Sequence, residues 1–159
     1  MAINPNTDFS AGAVLTAAQQ NRFPRGVVAF SSSQTSSAAI GTTETVTLTA
    51  STFTAVANRY YKITYYEPMI QPSVTAPGYM TFRIRLTNTS GTSYQYSDVE
   101  PIAGGADGQQ VILQVITTLA AGSTVIVGTA KASSQTLVAY GSSAVGATRQ
   151  ILVEDIGPA

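Results

Sequence analysis

The side chains that could do chemistry are few. The acids are Asp8, Glu44, Glu67, Asp98, Glu100, Asp107, Glu154 and Asp155, and the chain has neither histidine nor cysteine. It therefore lacks the commonest general base, a thiolate nucleophile and the ligand set of a zinc finger. A glycosidase needs two carboxylates facing each other across a sugar bond. Asp98 and Glu100 stand two apart, so one strand face can carry both. A strand end with two solvated charges is the plainer reading of the pair. With Asp107, Gly104 and Gly105 they offer oxygen ligands for Ca²⁺, although the spacing is not that of an EF-hand loop. Glu154 and Asp155 alternate across a strand and point apart. Serine and threonine are plentiful, yet no G-x-S-x-G elbow occurs. The loop Gly104-Gly105-Ala106-Asp107-Gly108 lacks the lysine of a phosphate-binding loop. These residues argue against an enzyme, and no cofactor is expected.

A second group invites a binding role. Tyr79, Arg83 and Arg85 share one side of an extended segment, and tyrosine with arginine makes a platform for a sugar or an anion. The plain alternative is a sheet face whose arginines pair with nearby carboxylates. Tyr60, Tyr61, Tyr65, Tyr66, Tyr94 and Tyr96 suggest carbohydrate contacts in the same way, but the strand preference of tyrosine explains most of them.

The elements that must position these groups are strands. In Met80-Thr81-Phe82-Arg83-Ile84-Arg85-Leu86 the apolar residues fall on every second position, the period of a strand with one buried face. Burying the four apolar side chains is worth about 1.5–3 kcal/mol each, before the entropy of ordering them. Thr45–Thr49 alternates as cleanly. In Arg59–Glu67, Tyr61, Ile63 and Tyr65 share one face. Gly26–Phe30, Ser93–Ser97, Thr136–Tyr140 and Arg149–Ile156 read as further strands. Val111–Ile116 and Thr124–Val127 are apolar on both faces, so each needs cover on both. The sandwich core covers one side, and the arm or a second subunit must cover the other. Ser31–Thr43 reads as a surface linker. Pro68, Pro72 and Pro77 bracket an irregular loop, because proline is excluded from central ladders. Ala120–Ser123 reads as a turn. The pattern predicts an all-β, antiparallel, jelly-roll-like β-sandwich of about eight or nine strands.

Residues 1–24 read as an arm ahead of a sandwich over 25–159. Thr16 and Gln19 form a T-x-x-Q capping box that opens a short helix over about 16–22, and Pro24 stops it. A helix this short is not stable alone. It must dock through Leu15 and Phe23, on its own sandwich or on a neighbour, so Leu15, Thr16, Gln19 and Phe23 are the candidate assembly residues.

Composition sets further bounds. In 159 residues, 44% are hydrophobic, only 10% are charged, and eight basic residues balance eight acidic ones. A chain with so little net charge has little self-repulsion to oppose association, which favours life in an assembly. The balance argues against an electrostatic nucleic-acid binder. No apolar run approaches the ~20 residues that span a bilayer, so no membrane insertion is expected. Met1-Ala2-Ile3-Asn4-Pro5 lacks a basic n-region, so no Sec signal is expected.

The segment Ala11-Gly12-Ala13-Val14-Leu15-Thr16-Ala17-Ala18-Gln19-Gln20-Asn21, leading into Pro24-Arg25-Gly26-Val27-Val28, resembles the opening of small virion proteins of tailed phages, notably those infecting actinobacteria. The Arg59–Ile63 strand and the closing Arg149–Pro158 are similar to the same group. The resemblance implies a non-enzymatic minor tail or fibre protein of the virion, built on a β-sandwich, with no catalytic residue carried over. The partners then expected are other virion proteins and further copies of the chain, as a homotrimer, with a host-surface glycan as the outward contact. A capsid decoration protein and a free-standing carbohydrate-binding module are the alternatives.

Overall fold

The computed structural model describes residues 11–72, 78–100, 109–134 and 136–159. In them a short helix, α1 (Ala17–Gln20), precedes the strands β1 (Gly26–Ser33), β2 (Thr45–Thr49), β3 (Phe53–Ala55), β4 (Arg59–Pro72), β5 (Met80–Leu86) and β6 (Ser93–Val99). The strands β7 (Gln109–Thr118), β8 (Gly122–Thr124), β9 (Ile126–Ala132), β10 (Leu137–Tyr140) and β11 (Arg149–Pro158) follow. Thr16 caps the helix in a complete capping box: its hydroxyl accepts from the Gln19 amide, and the Gln19 side chain accepts from the Thr16 amide.

One antiparallel sheet runs β1-β11-β4-β7, and β10 extends it along the far end of β4. A second runs β2-β9-β5-β6. The strands β3 and β8 form a separate ribbon. The chain changes sheet at nearly every connection and stays in one only from β5 to β6 and from β10 to β11. First and last strands lie side by side. This connectivity is the double-sheet jelly roll.

Alternation decides what lies between the sheets. Tyr61, Ile63 and Tyr65 of β4, with Ile151 and Val153 of β11, face Met80, Phe82 and Ile84 of β5 across the interior, and all are buried. The Tyr65 and Phe82 rings meet at 6.2 Å between centroids. Gly128 of β9 leaves room for this: a Cβ there would lie 2.5 Å from the Tyr65 ring. A strand glycine marks such a close approach.

Several expectations change. Pro68 and Pro72 lie within β4 rather than in a loop. Strand β11 leaves β4 at Tyr66, and β10 joins it at Met69. On the other side the register with β7 slips between Glu67 and Ile70. Pro68 thus sits at an irregularity where its missing N–H interrupts no paired ladder. The expected turn at Ala120–Ser123 overlaps β8, and the strand expected at Thr124–Val127 is split at Val125 between β8 and β9. The linker is not purely surface, because β1 extends to Ser33 and Ile40 is buried. Tyr79 precedes β5 rather than belonging to it. The loop that follows Pro72 lies outside the described residues up to Pro77.

Candidate functional site

Arg83 and Arg85 lie on the outer face of the β2-β9-β5-β6 sheet, opposite in phase to buried Phe82 and Ile84. Both reach Glu44, just before β2. Arg83 Nη1 stands 3.0 Å from one carboxylate oxygen, and Arg85 contacts both oxygens through Nε at 2.7 Å and Nη2 at 3.1 Å. Thr129 of β9 also donates to Glu44. Burial raises the Glu44 carboxyl, but the hydrogen bonds from Arg85 and Thr129 and the charges of both arginines more than reverse this and hold it below the usual range. Arg85 has a further acceptor in the Gly91 carbonyl at 2.8 Å, and Arg83 lies 6.0 Å from the centroid of the Tyr96 ring. The arginine stems supply the outer cover that β9 needs, since Val127 and Thr129 are buried. Tyr79 stands apart, about half exposed, with its backbone bonded to Ser133. The three residues of the expected ligand face therefore do not form one free platform.

Asp98 accepts from the Thr81 hydroxyl at 2.6 Å, and Glu100 is exposed. Asp107, Gly104 and Gly105 lie outside the described residues. Among the described residues no three acidic side chains gather in a way that could hold a metal ion. Glu154 and Asp155 point apart: Glu154 pairs with Lys62 at 2.8 Å on the outer face, while Asp155 is buried.

Asp155 anchors the arm. Arg59 at the start of β4 grips it through Nε at 2.5 Å and Nη2 at 2.7 Å. The remaining Arg59 donors reach back to the arm, Nη1 to the Asn21 carbonyl at 2.5 Å and Nη2 to the Phe23 carbonyl at 2.6 Å. The root of the arm is thus held by its backbone on its own sandwich. Val14, Leu15 and Phe23 are left exposed, at 90%, 39% and 38%. Thr16 and Gln19 are occupied in the capping box.

A second charged group lies inside the sandwich. Arg149 donates to Glu67 through Nε at 2.7 Å and Nη2 at 2.9 Å, and also to the Thr47 carbonyl at 2.8 Å. The Tyr65 hydroxyl donates to Glu67 at 2.6 Å and meets the Thr47 hydroxyl. Burial, then the Glu67 charge and hydrogen bond, push the Tyr65 phenol well above its ordinary value. With its donors and acceptors matched inside the fold, this group is a structural cross-tie. Neither it nor the Arg59–Asp155 fork was singled out by residue type. The phase of the strands carried the signal: Glu67 shares the inward face with Tyr61, Ile63 and Tyr65, and Arg149 and Asp155 share theirs with Ile151 and Val153.

The outer face of the β1-β11-β4-β7 sheet has no such cover among the described residues. Phe30, Leu152, Thr64 and Gln114 align across its four strands, and Ser32, Gln150, Tyr66 and Ile112 make the next row. On the other side lie Val27, Glu154, Lys62 and Ile116. Phe30 is 46% exposed, Ile112 58% and Ile116 57%. The Lys62–Glu154 ion pair on this face neutralises itself. The result is a neutral, partly apolar surface bordered by the β1 edge from which the arm departs.

Fold and surfaces together define a jelly-roll β-sandwich with an N-terminal arm stapled at its root and one sheet face bare. The family described as "Domain of unknown function (DUF7298)" matches residues 10–74, which hold α1 and β1 to β4. No curated protein sequence matches the chain. Among solved structures, the chain is similar to the CBM22-1 xylan-binding domain of Paenibacillus barcinonensis Xyn10C, at 12% identity and a TM-score of 0.32, over 82% of this chain and 87% of that one. It is also similar to a chain of the infectious bursal disease virus Gx strain, at 12% identity and a TM-score of 0.37, over 85% of this chain and 39% of that one. Likeness at this level carries no site residue of either protein onto this chain.

Proposed function

We propose that the protein is a non-enzymatic structural component of a bacteriophage virion, at the tail tip or in a fibre, that assembles as a homo-oligomer, a trimer, by surface contact. The observation that carries the reading is the bare outer face of the β1-β11-β4-β7 sheet, where Phe30, Ile112 and Ile116 stand in solvent. Phe30 stands on the β1 edge of that face and Ile112 and Ile116 on its β7 edge, so a partner lying across the sheet would cover all three. The arm supplies its complement. From Ala11 to Gln20 it has no charged residue, and it carries Val14 and Leu15 in the open on a root fixed by Arg59. That uncharged stretch of the arm, laid over the neutral face of a neighbour, buries apolar area without stranding a charge. The resemblance of the arm and the closing strand to small virion proteins of tailed phages gives the assembly its setting.

The test is the mass of the full chain in solution, measured by light scattering, beside that of Ile112→Lys/Ile116→Lys. The expected result is an oligomer for the native sequence and a monomer with an unchanged melting temperature for the variant. A native chain that stays monomeric at every concentration sinks the reading. Quantitative mass spectrometry of purified particles then places it: a handful of copies fits the tail, and hundreds would make it a decoration of the capsid shell.

A further inference from the structure

At one end of the sandwich a cleft of about 360 Å³ opens between the β5–β6 turn and the β7–β8 connection. This is at the lower end of the range for small-ligand pockets. Its apolar walls come from Leu86 and Leu119, the latter buried. Five hydroxyl-bearing residues line it, Thr87, Thr92, Tyr94, Ser123 and Thr124; the Thr124 hydroxyl donates to the Gly122 carbonyl at 3.1 Å, and the other four have no side-chain hydrogen-bond partner among the described residues. Nothing charged lines it. Tyr94 packs against the core and also lines the cleft. Burial raises its phenol above the ordinary value, so the hydroxyl remains a donor at neutral pH.

The wall is also held in a costly conformation. Thr87 has φ of 66°, a left-handed geometry that a β-branched residue rarely adopts. Its amide is tied to the Val125 carbonyl at 2.9 Å, which joins the β5–β6 turn to the link between β8 and β9. Strain of this kind persists only where the surroundings enforce it. Here it keeps a hydroxyl-bearing residue on the lip of the cleft, where glycine would relax the backbone.

From this geometry we infer that the cleft binds a neutral saccharide unit, with Tyr94, Leu86 and Leu119 against the C–H face of the sugar ring and the hydroxyls of Thr87, Thr92 and Ser123 on its polar edge. A charged ligand would find no counter-ion in the lining and would lose its hydration uncompensated. A purely apolar ligand would strand four hydroxyls. A polyhydroxylated ring with an apolar face satisfies both. None of Tyr79, Arg83 and Arg85 lines it, and it stands whether or not the chain assembles as proposed above.

The test is a titration of the full ¹⁵N-labelled chain, followed by amide shifts, with methyl glucoside, methyl galactoside and N-acetylglucosamine, and with N-acetylneuraminic acid as a charged comparator. At least one neutral sugar should give saturable shifts at Thr87, Thr92, Tyr94 and Ser123, with a dissociation constant of about 1–10 mM for so small a ligand. The acid should give none. Ala121→Phe, at an exposed lining position, fills the cleft and should abolish the shifts. Thr87→Gly relieves the strained backbone, so it does not fail by unfolding, and it should weaken binding by about fivefold or more. Absence of saturable shifts with every neutral sugar overturns the inference. So do shifts that persist in Ala121→Phe, or shifts centred on Arg83 and Tyr79.

Discussion

Arg59 and Asp155 meet as a buried fork, two nitrogens on two carboxylate oxygens at 2.5 and 2.7 Å, and the arm is tied to the sandwich through that pair. Asp155 is 1% exposed and Arg59 4%. Each offsets the hydration that the other loses on burial. The fork aims the leftover donors of Arg59 at the Asn21 and Phe23 carbonyls. Fold stability and arm position are therefore coupled through one guanidinium.

Arg59→Met should cost about 3–5 kcal/mol in denaturant unfolding, because it strands a buried carboxylate. Arg59→Lys keeps the charge but loses the fork, since an ammonium cannot serve two carboxylate oxygens and two carbonyls in those directions. It should retain part of the stability and speed amide exchange at residues 21–23 and 25. Exchange there at the native rate would show that the arm root is held by something else.

The two ends of the pH scale act through different residues. Glu44 is held below its ordinary value of 4.5 when folded, so its contribution is present above that pH and is lost as the pH falls through the folded value. Glu44→Gln should flatten the acid limb of the stability curve below about pH 4.5. Tyr65 is raised above its ordinary value of 10.0, so its contribution is full below that pH. Above it the unfolded phenol ionises first and stability drops. Tyr65→Phe should flatten the alkaline limb and cost about 1–3 kcal/mol at neutral pH through the lost bond to Glu67. Melting temperatures across the pH range check both, and a Tyr65→Phe chain as alkali-sensitive as the native one would contradict the assignment.

Much of the fold was legible because strand phase is a local property. Met80, Phe82 and Ile84 are inward and fully buried as their alternation requires, and Tyr61, Ile63 and Tyr65 likewise. The passage of β4 through Pro68 was not legible. It depends on β11 ending and β10 beginning at that point, which are facts about distant parts of the chain. The ribbon of β3 and β8 was hidden for the same reason: three residues carry too little pattern to be read, and pairing alone makes them strands. Two-sided apolar character in β9 correctly demanded outer cover, but not its source. For β9 the cover is Glu44 with the two arginine stems. Over Ile112 and Ile116 of β7 none of the described residues supplies it. The cleft at Tyr94 escaped because its residues come from two separate connections and have no shared motif.

Packing across the core should fail in opposite ways on its two sides. Phe82 is fully buried, and Phe82→Ala should cost about 3–5 kcal/mol by leaving a cavity beside Tyr65. Gly128→Ala adds a single methyl, but it would stand 2.5 Å from the Tyr65 ring, so the ring must shift. That should cost about 1–3 kcal/mol and disturb the Tyr65–Glu67 bond. An unchanged melting temperature in either variant would contradict the assigned interior.

Removing residues 1–24 separates the two roles of the arm. The deletion takes away the Asn21 and Phe23 carbonyls, but it leaves the Arg59–Asp155 fork and every strand intact. Water can serve the freed guanidinium donors, since the cut opens them to solvent, so the sandwich should remain folded with a small loss of stability. Assembly should suffer far more, because Val14, Leu15 and Phe23 go with the deleted segment while the face around Ile112 and Ile116 loses its proposed occupant. Light scattering should therefore find a folded monomer. A truncated chain with the native oligomeric mass would show that copies meet through the sheet faces alone, and the arm would then have to be assigned a different task.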